Sequence, residues 1–107
     1  MQVVDLDRET VKRGLSDGTM LVIDVREDHE YEAGHIPGAV LHPLSTFDPQ
    51  AVAALIAADG RRPVLSCGSG VRSVHALMAA QQAGVDISEH YKGGFKDWAA
   101  ADEPVAR

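Results

Sequence analysis

A chain of 107 residues with 45% hydrophobic and 24% charged content is one ordinary globular domain, able to bury a core without disulfides or metals. Its formal charge of −6 excludes a general nucleic-acid binder, which needs a basic stripe to displace counterions. An anionic substrate would need a locally positive field.

Residues 1–107 read as a single domain. The start, "MQVVDLDRET", has two acids by residue 7 and no basic-then-apolar pattern, so no signal peptide is expected. No apolar run approaches the ~20 residues that cross a membrane, and a cytoplasmic setting is expected. Asp7 can cap a helix that runs to about Leu15, with Val11 and Leu15 on one face and Gly18 closing the unit. "TMLVIDV", residues 19–25, is a short β-branched apolar run and reads as a strand. Asp28 to Ala33 fits one or two helical turns stopped by Gly34; Pro37 and Gly38 form a turn, and "AVLH" is a brief strand. In "DPQAVAALIAADG", Asp48 is the N-cap, Pro49 the first helical residue, and Gly60 the terminator. "PVLS" is a strand; "VRSVHALMAAQQAG" is a helix with Val71, Val74, Leu77 and Met78 at core spacing. "SEHYKGG" gives a last short strand and a glycine turn, and "FKDWAAAD" a final helical turn or two. Strands alternating with helices predict an α/β domain, a parallel sheet covered on both faces.

The lone cysteine, Cys67, stands between the strand "PVLS" and the following helix. Functional groups gather at such carboxyl ends of parallel strands. A helix begins with backbone N–H groups that lack intrahelical partners. With Gly68 and Gly70 letting the backbone curl, residues 68 to 72 (Gly68, Ser69, Gly70, Val71, Arg72) can cradle a negative charge. A dipole effect of at most ~2 kcal/mol lowers a thiol pKa by about one and a half units, and Arg72 would add to it. A cysteine that merely fills a core needs neither the glycines nor the arginine. "GSGVRS" lacks the third glycine of a dinucleotide fingerprint, and no "GK[ST]" follows.

Three motifs in order carry a family resemblance: "LVIDVREDHEYEAGHIPGAV", "CGSGVRS" and "YKGGFKDWAAADEPV". Together they resemble a single-domain rhodanese over nearly the whole chain. The resemblance implies a three-layer fold with about five parallel strands and helices on both faces. It also implies that Cys67 is a nucleophile that takes sulfur from a small anionic donor such as thiosulfate, becomes a persulfide, and passes the sulfur to cyanide, a thiol or a protein. A persulfide is anionic, so the amides of residues 68–72 suit it, and two displacements through a covalent intermediate give ping-pong behaviour. No cofactor and no metal are called for, and neither nucleic acid nor a membrane is an expected partner.

Phosphatases of this fold carry five residues between cysteine and arginine; this chain has four, Gly68 to Val71, a smaller ring that suits sulfur. "CGSGV" is also similar to the loop of two-domain mercaptopyruvate sulfurtransferases, which have threonine where Arg72 stands, so the donor stays open. Asp24 and Arg26 are expected to act as a hydrogen-bonding brace, the alternative being a contribution to the site's electrostatics. His35 is expected to be structural rather than a general base. The histidines at 29, 35, 42, 75 and 90 show no metal-ligand spacing. His75, four residues past Val71 on the helix, is discounted as a site residue, a place at the pocket rim being the alternative; Ser69 is loop fabric, and Trp98 is a packing anchor. The alternative to an enzyme is a module of the same fold that delivers or senses sulfur without turnover.

Overall fold

A computed structural model describes all residues, 1–107. Its most deeply buried strand is β2 (Met20–Asp24), every residue of which is buried. Because side chains alternate across a strand, Met20 and Val22 enter one apolar cluster, and Leu21 and Ile23 enter another. The first cluster also holds Leu6, Val11 and Trp98; the second holds Val52, Leu65 and Leu77. One sheet thus separates two cores, the reason a strand in this position reads as a continuous apolar run.

On the first face lie α1 (Arg8–Ser16), capped by Asp7, and α5 (Gly94–Ala100). On the second lie α3 (Pro49–Asp59) and α4 (Arg72–Gln82). The Asp48 carboxylate accepts from Gln50 and Ala51 N–H groups, and Gly60 closes α3 in the left-handed region, as the local signals predict. The remaining elements are α2 (Asp28–Ala33), β3 (Val40–Leu41) and a 3₁₀ turn (Leu44–Thr46).

All strand pairs are parallel, and with β1 (Val4–Leu6), β4 (Arg62–Ser66) and β5 (Glu89–Tyr91) the order is β1-β5-β4-β2-β3, β4 lying in the middle. The expected five-stranded parallel sheet with helices on both faces is therefore present. Two details differ from the sequence reading. First, β1 (Val4–Leu6) is a strand that no local pattern announced: three residues, one of them buried, held by pairing with β5 (Glu89–Tyr91). Second, the buried stripe of α4 is Ser73, Ala76, Leu77 and Ala80, whereas Val71 and Met78 are exposed. The helix is rotated to lay its small residues on the sheet, which lets its first turn approach the end of β4 closely.

Residue Asp24 of β2 is level with Ser66 of β4. Both strands therefore end together, and the Val25 N–H donates to Ser66 O at 2.8 Å. Cys67 is the next residue. The ledge made by these strand ends, not any one helix, sets where the sulfur sits.

Candidate active site

Cys67 is 1% exposed. Its Sγ accepts from Gly70 N–H at 3.1 Å and Ser73 N–H at 3.3 Å, and lies 3.4 Å from Ser73 Oγ. Burial pushes the thiol's pKa up, but the hydrogen bonds of the Ser73 hydroxyl and amide and of the Ser69 and Gly70 backbone outweigh it and lower the pKa from 9.0. Backbone donors aimed at one point favour the charged form of whatever stands there.

The loop holds its amides inward because its carbonyls are occupied on the outside. Phe95 N–H donates to Cys67 O at 2.8 Å and Lys96 N–H to Gly68 O at 3.0 Å, so the first turn of α5 binds the back of the loop. Two glycines permit this approach. Gly70 has φ 85°, and a Cβ there would stand 2.2 Å from Lys92 O; Gly94 has φ 65°, and a Cβ there would stand 2.5 Å from Cys67 O. Both the conformation and the space exclude a side chain. The "KGGF" segment is thus the floor of the loop, a role its sequence position alone does not disclose.

Arg72 leaves the cradle sideways. Its guanidinium passes close to Gly68, where a Cβ would lie 3.1 Å from Nη2, and it donates to both Glu30 carboxylate oxygens at 2.6 and 3.0 Å. It makes no hydrogen bond to Sγ. Glu30 also accepts from the Glu27 N–H at 3.0 Å, closing the capping box of α2. The Arg72 hydrogen bond dominates and holds the Glu30 carboxyl down at about 2. Glu30 was visible in the sequence only as part of a motif; here it fixes the direction of the site's cation.

Asp24 and Arg26 meet in a buried, two-pronged pair, with Arg26 Nη2 to Asp24 Oδ2 at 2.9 Å and both side chains 5% exposed. Arg26 also donates to Gly34 O at 2.8 Å and lies over the Phe95 ring at 4.3 Å from its centroid. The pair touches the loop's floor through Phe95, whose amide holds Cys67 O, and its charges also act on Arg72 and Glu30. His35 stacks on Tyr31, with centroids 3.7 Å apart, and its Nδ1 lies 2.8 Å from Tyr31 O. Its backbone bridges to Ala106. His75 is exposed on α4, Ser69 is exposed on the loop, and Trp98 is buried with Nε1 donating to Pro104 O at 2.7 Å. Ser73 is the residue at the sulfur that the motif reading passed over.

A cysteine wrapped by a four-residue loop and floored by a glycine pair is matched by a family model. The description Rhodanese-like domain fits residues 7–101. The chain belongs to the rhodanese-like family. Over 85 residues it is 39% identical to the probable adenylyltransferase/sulfurtransferase MoeZ of Mycobacterium tuberculosis, which is 79% of this chain and 21% of that one. It is 32% identical to the tRNA uridine(34) hydroxylase of Escherichia coli over 97 residues, or 88% of this chain and 28% of that protein. The chain thus spans between about a fifth and three tenths of the length of these two relatives. Among solved structures, human single-domain sulfurtransferase TSTD1 is similar with TM-score 0.68 and 28% identity, covering 94% of this chain and 96% of that one. A Rhodopseudomonas palustris protein described as a possible tyrosine phosphatase superposes with TM-score 0.80 at 28% identity, covering 97% and 85%.

Proposed function

We propose that this rhodanese-like domain is a sulfurtransferase with Cys67 as its sulfur carrier. The Cys67 thiolate attacks the outer sulfur of a small anionic donor such as thiosulfate; the donor S–S bond breaks, sulfite leaves with its electron pair, and a persulfide remains on Cys67. An acceptor thiophile (cyanide, a thiol or a protein thiol) then attacks the outer sulfur, and Cys67 leaves as the thiolate. Gly68, Ser69, Gly70 and Val71 form the cradle, and Arg72 supplies the local positive charge for the donor. Asp24, Arg26 and His35 act at a distance, as the frame that holds the loop's surroundings.

The observation that carries this reading is the convergence of the Gly70 and Ser73 amides on a buried sulfur with a lowered pKa. A thiolate so enclosed reacts with a slender terminal atom, such as an outer sulfur, more readily than with a bulky centre. The phosphatase description of the R. palustris neighbour gives the competing chemistry its weight. Against it stands the count of four residues between Cys67 and Arg72. Steady-state kinetics with thiosulfate and cyanide, beside hydrolysis of p-nitrophenyl phosphate, separate the two. Parallel double-reciprocal lines with no phosphate release support sulfur transfer; phosphate release without thiocyanate would overturn it.

The delivery-module alternative is favoured by one fact, that relatives such as MoeZ hold this domain within much longer chains. A module of that kind would load with sulfur but unload onto cyanide far more slowly than onto a protein thiol.

A further inference from the structure

Behind the sulfur lies a row of polar groups that the cradle does not require. Ser73 Oγ is 3.4 Å from Cys67 Sγ and 2.8 Å from His90 Nδ1; His90 Nε2 is 2.7 Å from Asp5 Oδ1. Four elements contribute one residue each: Cys67 after β4, Ser73 from α4, His90 from β5 and Asp5 from β1. Ser73 is 0% and His90 2% exposed. The Asp5 side chain is 52% exposed and opens on a surface cleft of about 580 Å³ beside Lys92 and Asp97. The row therefore runs from a buried thiol, past His90 on the inner strand β5, to Asp5 on the edge strand β1 and so to solvent.

We propose that His90 is the internal proton acceptor for the Cys67 thiol, reached through the Ser73 hydroxyl and anchored by Asp5. This rests on the reading of Cys67 as a nucleophile. A hydroxyl has a single proton, so Ser73 can serve one neighbour as donor at a time. In the thiol state, Cys67 donates to Ser73 Oγ, Ser73 donates to His90 Nδ1, and His90 Nε2–H donates to the Asp5 carboxylate. In the thiolate state each of the first two protons has moved one place. The thiol proton is on Ser73 Oγ, the former Ser73 proton is on Nδ1, and the ring is an imidazolium against Asp5. No atom is gained or lost, and the charge separates into thiolate and imidazolium with a hydroxyl between them. Such a buried sulfur has little direct access to bulk water, and this row gives its proton somewhere to go.

The groups that face His90 are Asp5 from β1, Ser73 from α4 and Cys67 from the end of β4. Lys92, just past β5, reaches only the other Asp5 oxygen, at 3.9 Å. The ring therefore faces one carboxylate on its outer side and one thiol, through Ser73, on its inner side. A histidine that merely filled space beside β5 would need neither.

The test is the pH profile of Cys67 alkylation by iodoacetamide in the parent, Asp5→Asn, His90→Gln and Ser73→Ala. The relay predicts that half-maximal reactivity moves up by about one pH unit in each variant, roughly tenfold slower alkylation at neutral pH. Asp5→Asn is decisive because direct Coulomb repulsion has the opposite sign. Loss of a carboxylate near a thiolate would by itself move the profile down. A profile that stays in place or falls in Asp5→Asn overturns the proposal, and Asp5 is exposed enough for that variant to fold should His90→Gln not. Sulfur loading from thiosulfate on the same proteins separates the two readings. Loading in the parent with superimposed profiles removes the relay; shifted profiles without loading keep the relay and remove thiosulfate transfer.

Discussion

Two regions of this molecule are rich in polar groups, and they use them in opposite ways. In the brace around β2 and α2, the groups satisfy each other. Asp24 binds Arg26, Arg26 binds Gly34 O and covers Phe95, and His35 stacks on Tyr31. In the loop around Cys67, donors from Gly70 and Ser73 converge on one sulfur instead, and the carbonyls behind them are held by α5. Both regions look like signatures in the sequence, but only the second leaves a reactive atom at its focus. A polar motif at a strand end is a brace or a site according to whether its hydrogen bonds close on themselves or converge on one nucleophilic atom.

The largest expected effect would break the brace. Arg26→Met leaves the Asp24 carboxylate buried without its partner, a loss of about 3–5 kcal/mol for such pairs, read as a lower urea midpoint. The comparison holds if the folded fraction still alkylates at the parent rate. A stable Arg26→Met protein with a dead thiol would place Arg26 in the site instead.

Next, Gly70→Ala should strike the loop alone. A Cβ at φ 85° meets Lys92 O, so the loop must shift and its amide must leave the sulfur. Alkylation at neutral pH should slow by roughly tenfold or more, one unit of thiol pKa, with a smaller change in the urea midpoint than for Arg26→Met.

Arg72→Ala removes the positive charge but not the hydrogen bonds to Sγ. The expected result is a roughly tenfold higher KM for an anionic donor, the scale of one charge-assisted hydrogen bond. Alkylation by neutral iodoacetamide should change less than in Gly70→Ala. The pair with Glu30 adds a pH signature. The folded carboxyl is lowered from 4.5 to about 2, so its contribution to stability is complete above about 4.5 and is lost as the pH falls toward 2. Acid unfolding over that window should be shallower in Arg72→Ala than in the parent.

The smallest effect belongs to His35→Gln, which gives up the Tyr31 stack and one hydrogen bond, about 1 kcal/mol. Turnover of the folded protein should be unchanged.

How much of this was legible depended on distance along the chain. The α3 boundaries are local, set by Asp48, Pro49 and Gly60, and could be read directly. The Cys67 loop was legible because its glycines and Arg72 lie within five residues of the nucleophile. β1 was not, since a three-residue strand acquires its identity only by pairing with β5. Likewise the apolar spacing of α4 pointed Val71 and Met78 into the core, whereas the buried face is Ser73, Ala76, Leu77 and Ala80, because small side chains let the helix lie close against the sheet. The Ser73, His90 and Asp5 row joins residues up to 85 positions apart, and no local pattern announces such a meeting. His90 looked like a stray histidine until the sheet order placed it behind the cysteine.

The most direct test of Cys67 as a sulfur carrier is an intact mass after the reduced protein is incubated with excess thiosulfate, beside Cys67→Ser. A Cys67 sulfur carrier gains one sulfur atom on the parent alone, and cyanide removes it. Sulfur on both proteins, or on neither with thiosulfate, mercaptopyruvate and a protein persulfide each tried as donor, would contradict that role.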